Sequence, residues 1–171
     1  MKIEYISMKH EEAISVINRL NIFRDLSEYD PTLCGTIPLG IDVEQSDLDI
    51  IMEVHRFEEF KEKIHNLYGS FENFSIKIKT IRDQQTIIAN FWYEGFEFEL
   101  FGQSNPVHKQ YAYLHMVIEQ EILKQNSKLK KDIIKLKQNG YKTEPAFCKV
   151  LGLSGDSYEA LIEYGKKQSY I

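Results

Sequence analysis

Gly35-Thr36-Ile37-Pro38-Leu39-Gly40-Ile41-Asp42-Val43-Glu44-Gln45-Ser46-Asp47-Leu48-Asp49-Ile50-Ile51 is the stretch that decides the fold. The Gly-Thr pair suits a chain leaving a strand and starting a helical turn. Thr36 is the candidate N-cap, and Pro38 falls in the first turn, where a missing N–H costs little. Gly40 stops the turn, because glycine takes the left-handed backbone without penalty. A polar link then enters an apolar run carrying Asp47 and Asp49. On a strand, residues two apart point to the same face, so both carboxylates reach one spot. A divalent cation relieves their repulsion, and hard oxygen ligands suit magnesium or manganese. The first turn offers free backbone N–H groups to a phosphate. Together these are the parts of a phosphoryl or nucleotidyl transfer site.

The 171 residues suit one domain, or a core with a small appendage, with enough chain for a hydrophobic interior. Apolar residues at 43% and charged residues at 27% fit a soluble globular protein. A net charge of −5 argues against a protein living mainly on nucleic-acid backbones. No apolar run approaches a membrane span, and Met1-Lys2-Ile3-Glu4-Tyr5 lacks a signal-peptide core. Two cysteines make no disulfide framework, so a reduced, cytoplasmic protein is expected. Cys34 reads as a small buried residue ending a strand, not as a nucleophile, because no His or Asn arrangement accompanies it.

Along the chain, residues 10–28 read as a helix ended by Asp30-Pro31, and 32–34 as a short strand. Residues 46–54 form the acidic strand, apolar enough for the middle of a sheet. A helix over 56–68 closes at Gly69. Residues 74–81 alternate as a strand, 86–93 form another, and Glu94-Gly95 turns the chain into an antiparallel return over 96–101. On that return Glu97 and Glu99 share a face, and either can be a third acid. A helix over 107–126 carries a core stripe and, beside it, His108, Ala112, His115 and Glu119. That second row either overlooks the acidic site or marks a boundary whose polar groups are satisfied or wet. The lysines around residues 127–138 read as a solvated helix face. Two short helices finish the chain, one capped by Thr143 with Pro145 in its first turn, one capped by Asp156 with Glu159 three residues on. No repeat, low-complexity tract or flexible linker interrupts the chain.

The combined string resembles the signature of the DNA-polymerase-β-like nucleotidyltransferases, with Thr36 in place of their serine and Gly40, Ser46, Asp47 and Asp49 at the spacing of minimal members. More closely, the chain resembles an uncharacterised bacterial family of that superfamily, a domain of unknown function. The likeness rests on Gly35-Thr36-Ile37-Pro38-x-Gly40, Ser46-Asp47-Leu48-Asp49-Ile50 and Glu99-x-Phe101-Gly102-Gln103. Pro106-Val107-x-x-Gln110, His115-Met116-x-x-Glu119 and Lys142-Thr143-Glu144-Pro145-Ala146-Phe147 extend it to the C-terminus. Within the likeness Glu99 is the preferred third acid. Two departures stand out: Ile37, Pro38 and Leu39 occupy the turn where minimal members often carry arginine, and the third acid is glutamate instead of aspartate.

The resemblance implies an α+β fold, a mixed sheet flanked by helices, with residues 1–104 as the core and 105–171 as a helical part packed on it. It implies a metal-dependent transferase moving a nucleoside monophosphate from a nucleoside triphosphate to a hydroxyl of a small-molecule, protein or RNA acceptor. Asp47, Asp49 and Glu99 would be catalytic and hold two Mg2+ or Mn2+ ions. Gly35, Thr36, Gly40, Ser46 and Gln103, with His115 and Glu119 on the acceptor side, would bind substrate. The alternative is a silent module of the same shape that senses nucleotides or neutralises a partner.

Overall fold

Alternating apolar residues build five strands in the computed structural model, which describes residues 8–171. Residues 1–7, where the sequence shows no signal-peptide core, lie outside the described residues. The strands are β1 (Thr32–Cys34), β2 (Leu48–Glu53), β3 (Glu72–Ile81), β4 (Gln84–Tyr93) and β5 (Phe96–Gln103). They form one sheet in the order β1-β2-β5-β4-β3, with β2 and β5 parallel and the other neighbours antiparallel. Glu94 and Gly95, both at positive φ (46° and 82°), make the tight turn between β4 and β5. Helices α1 (Met8–Leu20), α2 (Ile22–Asp25) and α3 (Phe57–Tyr68) surround the sheet, and α4 (Tyr111–Gln125), α5 (Leu129–Gln138), α6 (Thr143–Leu151) and α7 (Ser157–Lys167) complete the chain. The fold is a mixed α+β sheet flanked by helices, as the sequence leads one to expect.

Strand periodicity divides the sheet into two faces with different tasks. Ile50, Met52, Ala89, Phe91, Phe98 and Leu100 form a core with Val16 and Ile17 of α1 and Phe60 and Ile64 of α3. Phe91 stacks on Tyr68 at 4.8 Å and on Phe98 at 5.1 Å. Each such buried side chain contributes about 1.5–3 kcal/mol. On the other face Cys34, Ile51 and Phe101 pack with Val107, Ala112 and Met116, which seats the start of α4 against the sheet. Ile118, Ile122, Ile133, Phe147 and Leu161 make a second core among the C-terminal helices, and Ile41 from the loop before β2 plugs into it. That loop is also tied to α1: Lys9 Nζ donates to the Val43 carbonyl at 2.8 Å and His10 Nδ1 to the Ile37 carbonyl at 2.8 Å.

Several boundaries differ from the sequence reading. The first helix does not run through to residue 28: Asn21 takes a left-handed backbone (φ 59°), as asparagine readily does, and separates α1 from α2. The helix expected over 107–126 begins as a 3-10 turn (Val107–Lys109) and restarts at Tyr111, because Gln110 is extended (ψ 144°). Its amide Nε2 is used elsewhere, donating to the Met52 carbonyl at 2.9 Å and the Asn105 carbonyl at 3.0 Å. After Gly35 the chain makes one turn and no helix, closed by Ile41 N–H donating to the Thr36 carbonyl at 3.2 Å. Gly69 does close α3 as expected, though in a right-handed conformation, whereas Thr143 is the first residue of α6, not its cap. Asp156 does cap α7, its Oδ1 accepting from Glu159 N–H at 3.0 Å.

Candidate active site

Asp49 lies in β2 between two partners, facing Cys34 of β1 and Glu99 of β5 in register. Register partners project to one face, so the Asp49 and Glu99 carboxylates share a side of the sheet, and Asp47 joins them from two residues earlier. Burial first, then the charges of Asp47 and Glu99, push the Asp49 carboxyl from 3.8 up to about 8. Asn90, opposite Glu99 on β4, donates Nδ2 to Glu99 Oε2 at 3.3 Å and orients that carboxylate. Gly35, at φ +75°, lets the turn press on the acids: a Cβ there would collide with Asp49 Oδ2. The donor set is three hard oxygen groups whose repulsion a cation would relieve, which fits magnesium or manganese. No group of three or more His, Cys, Asp or Glu among the described residues is arranged ready-made for a metal ion.

These acids open onto a cleft of about 1020 Å³ between the sheet and the C-terminal helices. Its far wall is polar. His115 and Glu119 of α4 are each only 3% exposed. His115 Nε2 donates to the Tyr158 carbonyl at 2.9 Å, and its Nδ1 stands 3.7 Å from Glu144 Oε1. Glu119 Oε1 has no hydrogen-bond partner, and burial, then the charge of Glu144, hold that carboxyl well above the usual range. Lys137 of α5 donates Nζ to Thr143 Oγ1 at 2.8 Å. Burial lowers its pKa, against the opposing pull of Glu119, Glu144, Asp47 and Asp49. Arg82, in the β3–β4 turn, spans the mouth: its guanidinium lies 4.9 Å from the Tyr111 ring and 5.2 Å from the Tyr158 ring.

The structure brings most of the residues named from sequence to this cleft: Gly35, Thr36, Ser46, Asp47, Asp49, Glu99, Gln103, His115 and Glu119 line it. Gly40 does not; it serves the turn at φ +63°, with Lys130 beside its Cα. Two of the lining residues have local tasks as well. Gln103 Nε2 donates to Thr86 Oγ1 at 2.9 Å, and Ser46 Oγ accepts from Val43 N–H at 2.8 Å. Glu97 is not part of the lining, and His108 is exposed. Cys34 is buried with its thiol pushed up to about 12, first by desolvation and then by Asp49, which disfavours its thiolate form. Sequence reasoning missed Lys137, Glu144, Arg82 and Asn90. Lys137 was hidden in a lysine-rich helix where Lys131 and Lys135 face solvent and Lys130 lies beside Gly40, and nothing local marks the one that reaches the cleft.

The model of the family described as Domain of unknown function (DUF4269) matches residues 15–164. No curated protein sequence matches the chain. Solved structures of the Cid1 poly(U) polymerase resemble it: one with MgGTP bound has a TM-score of 0.56 at 15% identity, over 77% of this chain and 42% of the polymerase. Another Cid1 structure gives a TM-score of 0.57 at 16% identity, over 85% of this chain and 48% of that one. A cytoplasmic RNA terminal U-transferase gives 0.52 at 16%, over 77% and 39%. The chain thus spans less than half the length of these nucleotidyltransferases, and the likeness establishes the fold they share.

Proposed function

The chain belongs to the family described as Domain of unknown function (DUF4269), and from that premise we propose that it transfers a nucleoside monophosphate from a nucleoside triphosphate to a hydroxyl of an acceptor. The observation that carries this reading is the register of Asp49 against Glu99, with Asp47 beside them, at the floor of a cleft in a nucleotidyltransferase fold. Asp47, Asp49 and Glu99 would hold Mg2+ or Mn2+. When bound, such a cation supplies the positive charge that offsets the acids and the phosphates, several kcal/mol at a transition state. The backbone at Gly35 and the Thr36 hydroxyl cradle phosphate oxygens. Ser46 keeps its hydroxyl proton free to donate, since its oxygen is the acceptor for Val43. Lys137 provides the side-chain cation that Ile37, Pro38 and Leu39 cannot. In the transfer, the acceptor oxygen bonds to the α-phosphorus, the bond from that phosphorus to the bridging oxygen breaks, and pyrophosphate leaves. The hydroxyl proton passes to Glu99. Residues 1–104 act as the catalytic core and 105–171 as the acceptor-side helical part, in the cytoplasm.

Calorimetric titration of a non-hydrolysable triphosphate in manganese tests the assignment. Asp49→Asn should abolish the metal-dependent binding while the protein still melts cooperatively; an unchanged titration would reject it. A silent nucleotide-binding module is favoured by the apolar Ile37-Pro38-Leu39 turn. Metal-dependent binding with no pyrophosphate released on any acceptor pool would decide for the module.

A further inference from the structure

Arg82, Lys109 and Lys142 line other parts of the cleft, but its α4 and α6 wall presents two carboxyl groups. Glu119 lines it with one oxygen unpartnered at 3% exposure, and Glu144, in the first turn of α6, faces the same space. His115 gives its Nε2 proton to the Tyr158 carbonyl, and Lys137 Nζ is drawn to Thr143 Oγ1. A buried carboxylate oxygen without a donor is costly, and two neighbouring carboxylates raise that cost. The volume also leaves room: about 1020 Å³ is at the top of the ~300–1000 Å³ usual for a single small ligand.

We propose that this inner pocket, formed by Glu119 and Glu144, binds the ammonium group of an amine-bearing alcohol, whose hydroxyl is the acceptor in the transfer. The inference rests on the transferase reading for the identity of the reaction, but not for the binding of the amine. A hydroxyl would bring one donor and no charge, whereas an ammonium brings three donors and a positive charge that favours the ionised form of Glu119 beside Glu144. Lys137 does not fill this role. Its charge is shared among Glu119, Glu144, Asp47 and Asp49, and its amine is directed to Thr143. The same acids disfavour a polyanionic acceptor at this wall.

The test titrates the full chain, with manganese and a non-hydrolysable triphosphate, with matched pairs: 2-amino-2-deoxyglucose against glucose, and ethanolamine against ethylene glycol. At least a tenfold preference for the amine in one pair is expected, and Glu119→Gln and Glu144→Gln should each reduce it to less than threefold. Glutamine keeps the shape of the protonated carboxyl, and a melting curve checks each fold; if E119Q does not melt cooperatively, E144Q carries the comparison. No preference in either pair, a preference that survives both substitutions, or tighter binding of a short RNA would overturn the proposal. Nucleotide binding without amine preference sinks this inference alone. Amine preference in a protein that binds no nucleotide sinks the transferase reading and leaves the pocket standing.

Discussion

Asp49→Asn removes a carboxyl that burial, Asp47 and Glu99 together push from 3.8 up to about 8, and the consequence for stability can be worked out with its sign. The folded protein holds this proton across a range in which the unfolded chain has already released it. The stabilisation is therefore fully present below about pH 4 and is lost as pH rises toward 8. At pH 7 about 3 pH units of that loss have accrued, a ceiling of about 4 kcal/mol at 1.36 kcal/mol per unit. Asp47 and Glu99 share the strain and can turn away, so the expected gain on substitution is about 1–2 kcal/mol. For a chain of 171 residues that corresponds to roughly 2–8 °C in Tm. Metal-free melts at pH 5, 7 and 8.5 should show wild type losing stability with rising pH and the variant losing less. Manganese should reverse the ranking, raising the Tm of wild type and leaving the variant where it was. If the metal-free variant is no more stable at pH 7 and its pH slope is unchanged, the electrostatic account of the acids is wrong.

Two glycines give sharper geometric outcomes. Gly35→Ala places a Cβ against the Asp49 carboxylate at a φ of +75°, so it should cost about 1–2 kcal/mol for the backbone alone and remove manganese-dependent nucleotide binding. Urea unfolding and calorimetry read the two effects separately. Gly102→Ala puts a Cβ 2.6 Å from Val54 Cγ2 and 2.9 Å from Ile87 Cγ2, an overpacking expected to cost about 1–3 kcal/mol. Its urea midpoint should fall while nucleotide affinity per folded molecule stays unchanged, because the clash lies on the face away from the cleft.

Much of this protein is legible from local pattern because local pattern is what strands, turns and caps obey. The face taken by Asp49 needs only the period of a strand, with Asp47 just before β2, and Glu94-Gly95 needs only the residues that accept positive φ. Asp156 and Glu159 are a cap that closes within one turn. The misread boundaries turn on single residues whose side chain or backbone is used otherwise: Asn21 takes a left-handed backbone, and Gln110 and Thr143 bond to other elements. Gln110 spends its amide on Met52, 58 positions back, and Thr143 spends its hydroxyl on Lys137 instead of on its own helix.

The sequence alone determined that a pair of acids leads an apolar strand, that a glycine turn precedes it and that a hairpin returns a third acid. Backbone periodicity and the steric freedom of glycine suffice for each. The family likeness already preferred Glu99 to Glu97, but only the tertiary structure set Glu99 opposite Asp49 at the cleft, through the parallel register of β2 and β5. It alone turned Lys137 inward and set Glu144 against His115. Those juxtapositions join residues far apart in the chain, and they follow from how helices pack across a sheet, which no local spacing encodes.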